Sequence, residues 1–165
     1  GLSADGYNSS TISKKSISPI LSAIQSDLCE SGIDGVLSTH IQRDALEKFS
    51  YVSPIGAAGV YLHAVAGDFQ KEGPARELFK SMIREISALA AAMGYPFEKD
   101  YVKINLEILS NLSADATTSM QRDIMEGKPS ELDGLVMEPL RLAKKYSVSM
   151  PCYEEVAKVL CPLEF

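Results

Sequence analysis

The chain has 165 residues, 45% of them hydrophobic, which suits one domain with its own core. Its net charge of −6 and scattered lysines and arginines argue against nucleic acid as a partner, because no basic run could neutralise several neighbouring phosphates. No apolar run approaches the ~20 residues that cross a bilayer, and no basic-plus-apolar leader opens the chain, so we expect a soluble, cytoplasmic protein.

The period of the apolar residues is helical almost throughout and predicts an all-α domain, a bundle of about seven helices. Residues 1–15 are polar and rich in turn residues, and we assign them to a flexible arm ahead of a helical domain over residues 16–165. The first helix is predicted over residues 19–32, and Gly32 suits its left-handed cap.

The second helix starts at Ser38 or Thr39, and we expect Pro54, Gly56 and Gly59 to kink or break its far half. The clearest pattern follows, because apolar residues recur at three- and four-residue steps over residues 74–93. The remaining predicted helices cover residues 98–112, a segment capped by Asp115 that ends at Glu126, residues 131–146 after a Ser130 cap, and a last helix that begins at Pro151.

The cysteines of the chain indicate neither a disulfide framework nor a zinc site. They are odd in number and show no C-x-x-C or Cys/His ligand spacing. We therefore predict reduced, structural thiols at Cys29, Cys152 and Cys161, while the exposure that would make Cys29 reactive cannot be read from sequence.

Lys48 occupies an unusual position in the pattern of the second helix. At 100° per residue it falls among Ile41, Ala45, Val52 and Ile55, on the stripe that is expected to face the core. An ammonium there loses hydration and needs a carboxylate partner or a depressed pKa, and either condition also suits a general acid that acts near neutral pH. The alternative is a snorkelling lysine whose charged end reaches water, and the pattern alone favours that alternative.

Ser119 and Glu131 lie twelve residues apart in a segment that combines a short helix, a Gly-Lys-Pro-Ser turn and an acidic helix start. Each has an ordinary explanation, because a serine in a first turn bonds locally and a glutamate in a first turn is stabilised by the helix dipole. Together with Lys48 they could bind a small 2-oxo acid as cation, hydrogen-bond donor and orienting carboxylate.

Three segments resemble the C-terminal domain of ketopantoate reductases (2-dehydropantoate 2-reductases), in the family's order. They are residues 45–49 around Lys48, residues 84–86 followed by 92–94, and residues 118–133. The resemblance implies a substrate domain like the 6-phosphogluconate dehydrogenase C-terminal domain. It also implies a whole enzyme that reduces ketopantoate to pantoate in pantothenate biosynthesis.

The resemblance also implies roles for particular residues. Lys48 would give a proton to the substrate carbonyl oxygen, Glu131 would orient the substrate or the lysine, and Ser119 would hold the substrate carboxylate. Val52 and Gly56 fall at two substrate-binding positions where the family usually has asparagines. Substrate identity is therefore open between ketopantoate and the substrate of a paralogous reductase.

The family binds NADP(H) mainly in an N-terminal Rossmann domain, and no G-x-G-x-x-G follows a strand pattern in this chain. We therefore expect a fragment that is inactive alone and has its own Rossmann domain, a 2-oxo acid and possibly a second copy as partners. A non-catalytic helical dimerisation or ligand-binding module is the alternative from another class. A metal enzyme is least favoured, because His40 and His63 have no carboxylate pair at ligand spacing.

Overall fold

A computed structural model describes residues 18–162, and all regular structure in that part of the chain is helical, which confirms the all-α prediction. The helices are α1 (Pro19–Glu30), α2 (Ile41–Leu62), α3 (Ala66–Gln70), α4 (Pro74–Ala92), α5 (Tyr101–Ser110), α6 (Ser119–Met125), a π-helix (Asp133–Met137), α7 (Glu138–Tyr146) and α8 (Pro151–Leu160). The short helix α3 was not predicted. The arm predicted over residues 1–15 lies outside the described residues.

Within residues 18–162 the chain divides into two compact units, one up to residue 41 and one from residue 42 onward. The division falls after Ile41, the first residue of α2. In the first unit α1 begins after Ser18, whose hydroxyl accepts from the Ile20 N–H, and the chain turns at Gly32 with a φ of +80°. None of the residues of α1 is buried.

The core of the second unit is built around α4, which contacts α3, α5, α7 and α8. Its inner face is fully apolar and consists of Phe79, Met82, Ile83, Ile86 and Leu89. This helix confirms the prediction over residues 74–93 almost to the residue, because its apolar period matches the helical repeat.

Helix α2 runs unbroken through Pro54, so the residues Pro54, Gly56 and Gly59, predicted to kink or break its far half, do not break it. A proline has no N–H to donate to the carbonyl four residues back, here that of Ser50. The Asn105 side-chain amide donates to that carbonyl instead, at 3.0 Å, and to the Ser50 hydroxyl at 3.1 Å. A residue of α5 thus supplies the hydrogen bond that Pro54 cannot make.

The helix predicted over residues 131–146 is divided into the π-helix and α7. The Glu138 N–H donates to the Asp133 carbonyl five residues back, which is the π-helical pattern. Ser130 makes no capping hydrogen bond within residues 18–162, so that predicted cap is wrong. The π-turn begins two residues after Glu131, and such turns are frequent beside functional sites.

At Pro139, as at Pro54, a side chain replaces the hydrogen bond that the proline cannot make. It cannot donate to the Leu135 carbonyl, and the Ser53 hydroxyl of α2 donates to that carbonyl instead, at 2.6 Å. The Tyr153 hydroxyl lies 2.5 Å from the same Ser53 oxygen and completes a buried chain of hydrogen bonds. This chain joins α2, the π-helix and α8.

The start of α8 is held by α4. Pro151 occupies the first turn, as predicted, and the Glu85 carboxylate accepts from the N–H groups of Cys152 at 2.8 Å and Tyr153 at 3.1 Å. A carboxylate at that end of a helix also interacts favourably with the helix dipole. Helix α8 is thereby fixed against the core.

Candidate functional site

Lys48 lies on the exposed face of α2, so its predicted position on a core-facing stripe is wrong. Val52, one turn further along the same stripe, is 36% exposed. The nearest buried residue is Ser50, on the opposite side of the helix, whereas residues 53–59 are buried on all sides, including Ile55 of the predicted stripe. The Lys48 ammonium therefore stays hydrated in this chain, and it forms no hydrogen bond or ion pair with any described residue.

Gly56 follows Lys48 and Val52 at four-residue steps but is buried. A Cβ atom added there would lie 3.1 Å from Cε of Met120 and 3.9 Å from Oγ1 of Thr118 and Cδ1 of Leu135. Glycine thus allows α6 and the π-helix to approach α2 closely. An asparagine at this position would require Met120 to move.

The start of α6, where Ser119 lies, is capped by Thr118, so the predicted Asp115 cap is wrong. The Thr118 hydroxyl accepts from the Gln121 N–H at 3.3 Å, and the Gln121 side-chain oxygen accepts from the Thr118 N–H at 2.9 Å. This reciprocal pair is a capping box. Asp115 instead accepts a hydrogen bond from the Ser113 hydroxyl. Ser119 itself is exposed at the first position of the helix.

The segment before Ser119 is anchored to α3 and the end of α2. The N–H groups of Ala66 and Gly67 donate to the carbonyls of Ala116 and Ala114, at 2.9 and 2.8 Å. The Gln121 side-chain amide donates to the Ala64 carbonyl at 2.8 Å. The backbone around Ser119 is therefore held by bonds that leave the Ser119 hydroxyl available.

Two acidic residues near the π-helix differ in whether their carboxylates have a partner. Asp133 pairs with Arg141, whose hydrogen bond holds the pKa of that carboxyl below its usual range. Glu131 is exposed, and its carboxylate has no partner among residues 18–162. Asp133 is therefore committed to structure, while Glu131 is available for a ligand.

The structure brings α2, which carries Lys48, into contact with α6, which carries Ser119, and with the π-helix that begins two residues after Glu131. Helix α2 approaches α6 through Gly56 and is bonded to the π-helix through Ser53. Lys48 precedes Gly56 by eight residues, about 12 Å along the helix axis. An ammonium, a hydroxyl and a carboxylate on these elements could bind a small anion with a carbonyl group.

A cavity of about 250 Å³ adjoins these elements, and sequence reasoning did not find it. Its apolar wall is formed by Tyr51, Ile55, Phe69, Ile108, Leu112 and Ala116. The Tyr51 hydroxyl is buried, has no hydrogen-bond partner among the described residues, and its burial raises its pKa. The one indication of this cavity in the sequence is the spacing of Tyr51 and Ile55, which lie one turn apart on α2 close to the line of Lys48.

Two thiols differ in their surroundings. Cys29 is an exposed thiol of the first unit, whereas burial and the nearby Glu85 carboxylate raise the pKa of Cys152 to about 11. A thiol with so high a pKa is almost entirely protonated at neutral pH and is a poor nucleophile. Cys152 is therefore a structural residue.

Residues 18–162 contain neither a candidate metal site nor a membrane-spanning helix. No cluster of three or more His, Cys, Asp or Glu side chains is placed to hold a metal ion there. None of the helices in the same range combines the length and apolar character needed to cross a membrane.

A family model described as "Ketopantoate reductase PanE/ApbA C terminal" matches residues 40–164. Among curated proteins, the 2-dehydropantoate 2-reductase of Aquifex aeolicus is 27% identical over 135 residues, which are 79% of this chain and 43% of that protein. The chain thus spans less than half the length of this relative.

Solved structures share the fold. A 2-dehydropantoate 2-reductase from Methylococcus capsulatus superposes with a TM-score of 0.79 at 23% identity, over 90% of this chain and 47% of that one. The dimeric ketopantoate reductase from Staphylococcus aureus gives 0.77 at 19% identity, over 87% and 50%. D-mandelate dehydrogenase, solved with NADH and anilino(oxo)acetate, gives 0.70 at 18% identity, over 82% and 57%.

Proposed function

This chain belongs to the family of ketopantoate reductase C-terminal domains, and from that premise we propose that it is the substrate domain of an NADPH-dependent 2-oxo acid reductase. The observation that carries the proposal is that three polar side chains on or beside α2, α6 and the π-helix have no hydrogen-bond or ion-pair partner. Lys48, Ser119 and Glu131 are exposed, and their side chains bond to nothing else within residues 18–162.

The proposed reaction adds a hydride to the carbonyl carbon and a proton to the carbonyl oxygen, which gives a 2-hydroxy acid. NADPH supplies the hydride when bound. The Lys48 ammonium donates a hydrogen bond and then the proton to the carbonyl oxygen, where negative charge develops. The Ser119 hydroxyl donates to the substrate carboxylate, and Glu131 orients the substrate or the Lys48 ammonium.

The exposure of Lys48 agrees with this role in a longer protein. In the chain alone Lys48 and the neighbouring Val52 are both exposed. A dinucleotide-binding domain seated on that face would cover the lysine and remove water from the reacting groups. The cofactor would then be held mainly by that domain.

The substrate has two candidates. Ketopantoate is the substrate that the family membership favours. A paralogous reductase that acts on another 2-oxo acid is favoured by Val52 and Gly56, which offer no polar side chain where the family usually has asparagines. The shared fold with D-mandelate dehydrogenase, solved with anilino(oxo)acetate, is consistent with a substrate of that second kind.

The same proposal includes the oligomeric state, the pathway and the location of the enzyme. The fold shared with the dimeric enzyme from Staphylococcus aureus supports a homodimer as the assembled form. A role in pantothenate biosynthesis requires ketopantoate as the substrate. A cytoplasmic location is part of the same proposal.

The experiment is NADPH oxidation by the full-length protein that carries this chain, measured with ketopantoate and a panel of 2-oxo acids. We expect turnover with at least one of them and none with the isolated chain. Failure of every 2-oxo acid, in a protein that binds NADPH, would favour the non-catalytic module instead.

A further inference from the structure

We propose that α1 is the last helix of the dinucleotide-binding domain, and that its apolar face packs on that domain in the full-length protein. This inference rests on the proposed function in one respect, since it assumes that such a domain precedes the chain. It departs from the sequence-based expectation, which placed α1 in the helical domain. It gives the exposed apolar face of α1 a partner.

Helix α1 has the apolar stripe of a helix that packs against another element. Four large apolar residues fall within an arc of about 100° on the helical wheel, namely Ile20, Leu21, Ile24 and Leu28. Their exposed fractions lie between 37% and 71%, and no residue of α1 is buried. Apolar residues that adjoin one another on an exposed surface mark an interaction site, which single scattered ones do not.

The segment after α1 extends this exposed surface. The Ile33 N–H donates to the Leu28 carbonyl at 2.9 Å, and the Gln25 side-chain amide donates to the Gly35 carbonyl at 2.7 Å, so the segment is bonded to α1. Ile33 is 56% exposed and Val36 is 81% exposed. A helix of 12 residues is marginal in water by itself, and α1 therefore needs a partner that covers its apolar face.

The family model and the compact units place the start of the helical domain after α1. The model for the C-terminal domain begins at residue 40, and the unit that holds the helical core begins at residue 42. The superposition with the Methylococcus capsulatus enzyme nevertheless covers 90% of this chain, which is more than residues 40–164 account for. Helix α1 therefore corresponds to a part of the full-length reductases that lies ahead of their C-terminal domain.

The length of the relatives leaves room for a partner of the right kind. This chain spans 47% of the Methylococcus capsulatus enzyme, so a comparable protein has another domain's length of chain outside these residues. In a dinucleotide-binding domain helices cover both faces of a parallel sheet, and each of them packs on the sheet by an apolar stripe. Helix α1 has the stripe that such a position requires. A second copy of this chain is the competing occupant.

The test is thiol labelling of the full-length protein with iodoacetamide, with peptide mass spectrometry to report each site. Cys29 is exposed and lies about 140° from Ile24 on the wheel, so it is a reference on the outer face of α1. In Ile24→Cys we expect the introduced thiol to react at least about tenfold more slowly than Cys29, because the domain covers it. In Ser22→Cys, a matched change on the outer face, the introduced thiol should react about as fast as Cys29.

A second measurement covers the case in which Ile24→Cys disturbs the fold. Hydrogen exchange of the unmodified full-length protein should show the amides of α1 protected to the same order as those of α4. An uncovered helix of this length would exchange at least about tenfold faster than α4. Exchange of α1 at the rate of an unfolded segment would overturn the proposal.

The labelling is repeated over a range of protein concentrations that includes the monomer. Equal rates at position 24 and at Cys29 would show that the stripe is open and would overturn the proposal. Protection that disappears when the protein is diluted to a monomer would assign the stripe to a second copy and would overturn it as well. Labelling requires no turnover, so a protein that protects position 24 but reduces no 2-oxo acid would keep this inference and lose the proposed reaction.

Discussion

The buried serines of α2 and the exposed Lys48 of the same helix differ in whether their side chains are hydrogen-bonded. In the buried half Ser50 and Ser53 both take part in hydrogen bonds, to Asn105, Leu135 and Tyr153. In the exposed half Arg43 pairs with Glu98, whereas Lys48 bonds to nothing among residues 18–162. The contrast separates groups that hold the fold from groups that are available to a ligand.

This contrast makes a prediction for each class. Substitution of an available group should cost activity and spare stability, and substitution of an engaged group should do the reverse. A variant of an available group that lost stability, or a variant of an engaged group that lost only activity, would show that the residue belongs to the other class.

The largest effect is expected from Lys48→Ala in the full-length enzyme. Loss of the proton donor should lower kcat/KM by about 10²–10⁴-fold. The free energy of unfolding should change by less than about 0.5 kcal/mol, because the side chain is exposed and unpaired. Lys103→Ala, at an exposed position of α5, is the control and should retain activity. Normal turnover by the Lys48 variant would remove this lysine from the mechanism.

A smaller loss is expected from Ser119→Ala. A hydrogen bond to a charged group contributes about 1.5–3 kcal/mol, so the substrate should bind about 10–100-fold more weakly. This weaker binding should appear mainly as a higher KM with little change in kcat, since the carboxylate is bound before and during the reaction. Ser110→Ala, at an exposed serine of α5, is the matched control. An unchanged KM would place the carboxylate elsewhere.

The opposite pattern is expected from Asn105→Ala, which removes the donor that replaces the missing Pro54 N–H. A buried carbonyl left without a partner costs about 1–3 kcal/mol, and chemical denaturation should show that loss. Asn111 also donates to a backbone carbonyl but is exposed, so Asn111→Ala should cost much less. Equal losses in the two variants would show that burial of the bond at Pro54 does not matter.

The smallest effect is expected from Tyr51→Phe. The Tyr51 hydroxyl is buried without a partner, so its removal should raise the free energy of unfolding by up to about 1 kcal/mol. Tyr153→Phe removes a hydroxyl that is bonded to Ser53 and should lower it by a similar amount. Destabilisation by Tyr51→Phe would reveal a partner for that hydroxyl.

The sequence predicted the helices whose stability is local. Helix α4 has a strict apolar period, and Pro151 marks the start of α8. The continuity of α2 through Pro54 could not be predicted, because the compensating donor lies 55 residues away along the chain from the carbonyl that it serves. Likewise the bond from Ser53 to the π-helix spans 82 residues.

The residue types of the site could be read from the sequence, whereas their environment could not. A helical period identifies a stripe of residues but not which part of that stripe is covered, and here Ile55 is buried whereas Lys48 is exposed. The Thr118 cap was readable, since Thr118-x-x-Gln121 is a capping-box pattern. The cavity requires residues from several helices and could not be predicted from one pattern.

The most direct test of the central claim is a crystal structure of the full-length enzyme with its 2-hydroxy acid product and NADP⁺. We predict that the Lys48 ammonium lies within about 3 Å of the product hydroxyl and the Ser119 hydroxyl within about 3 Å of its carboxylate. A product bound away from both residues, with Lys48 still open to solvent, would contradict the account.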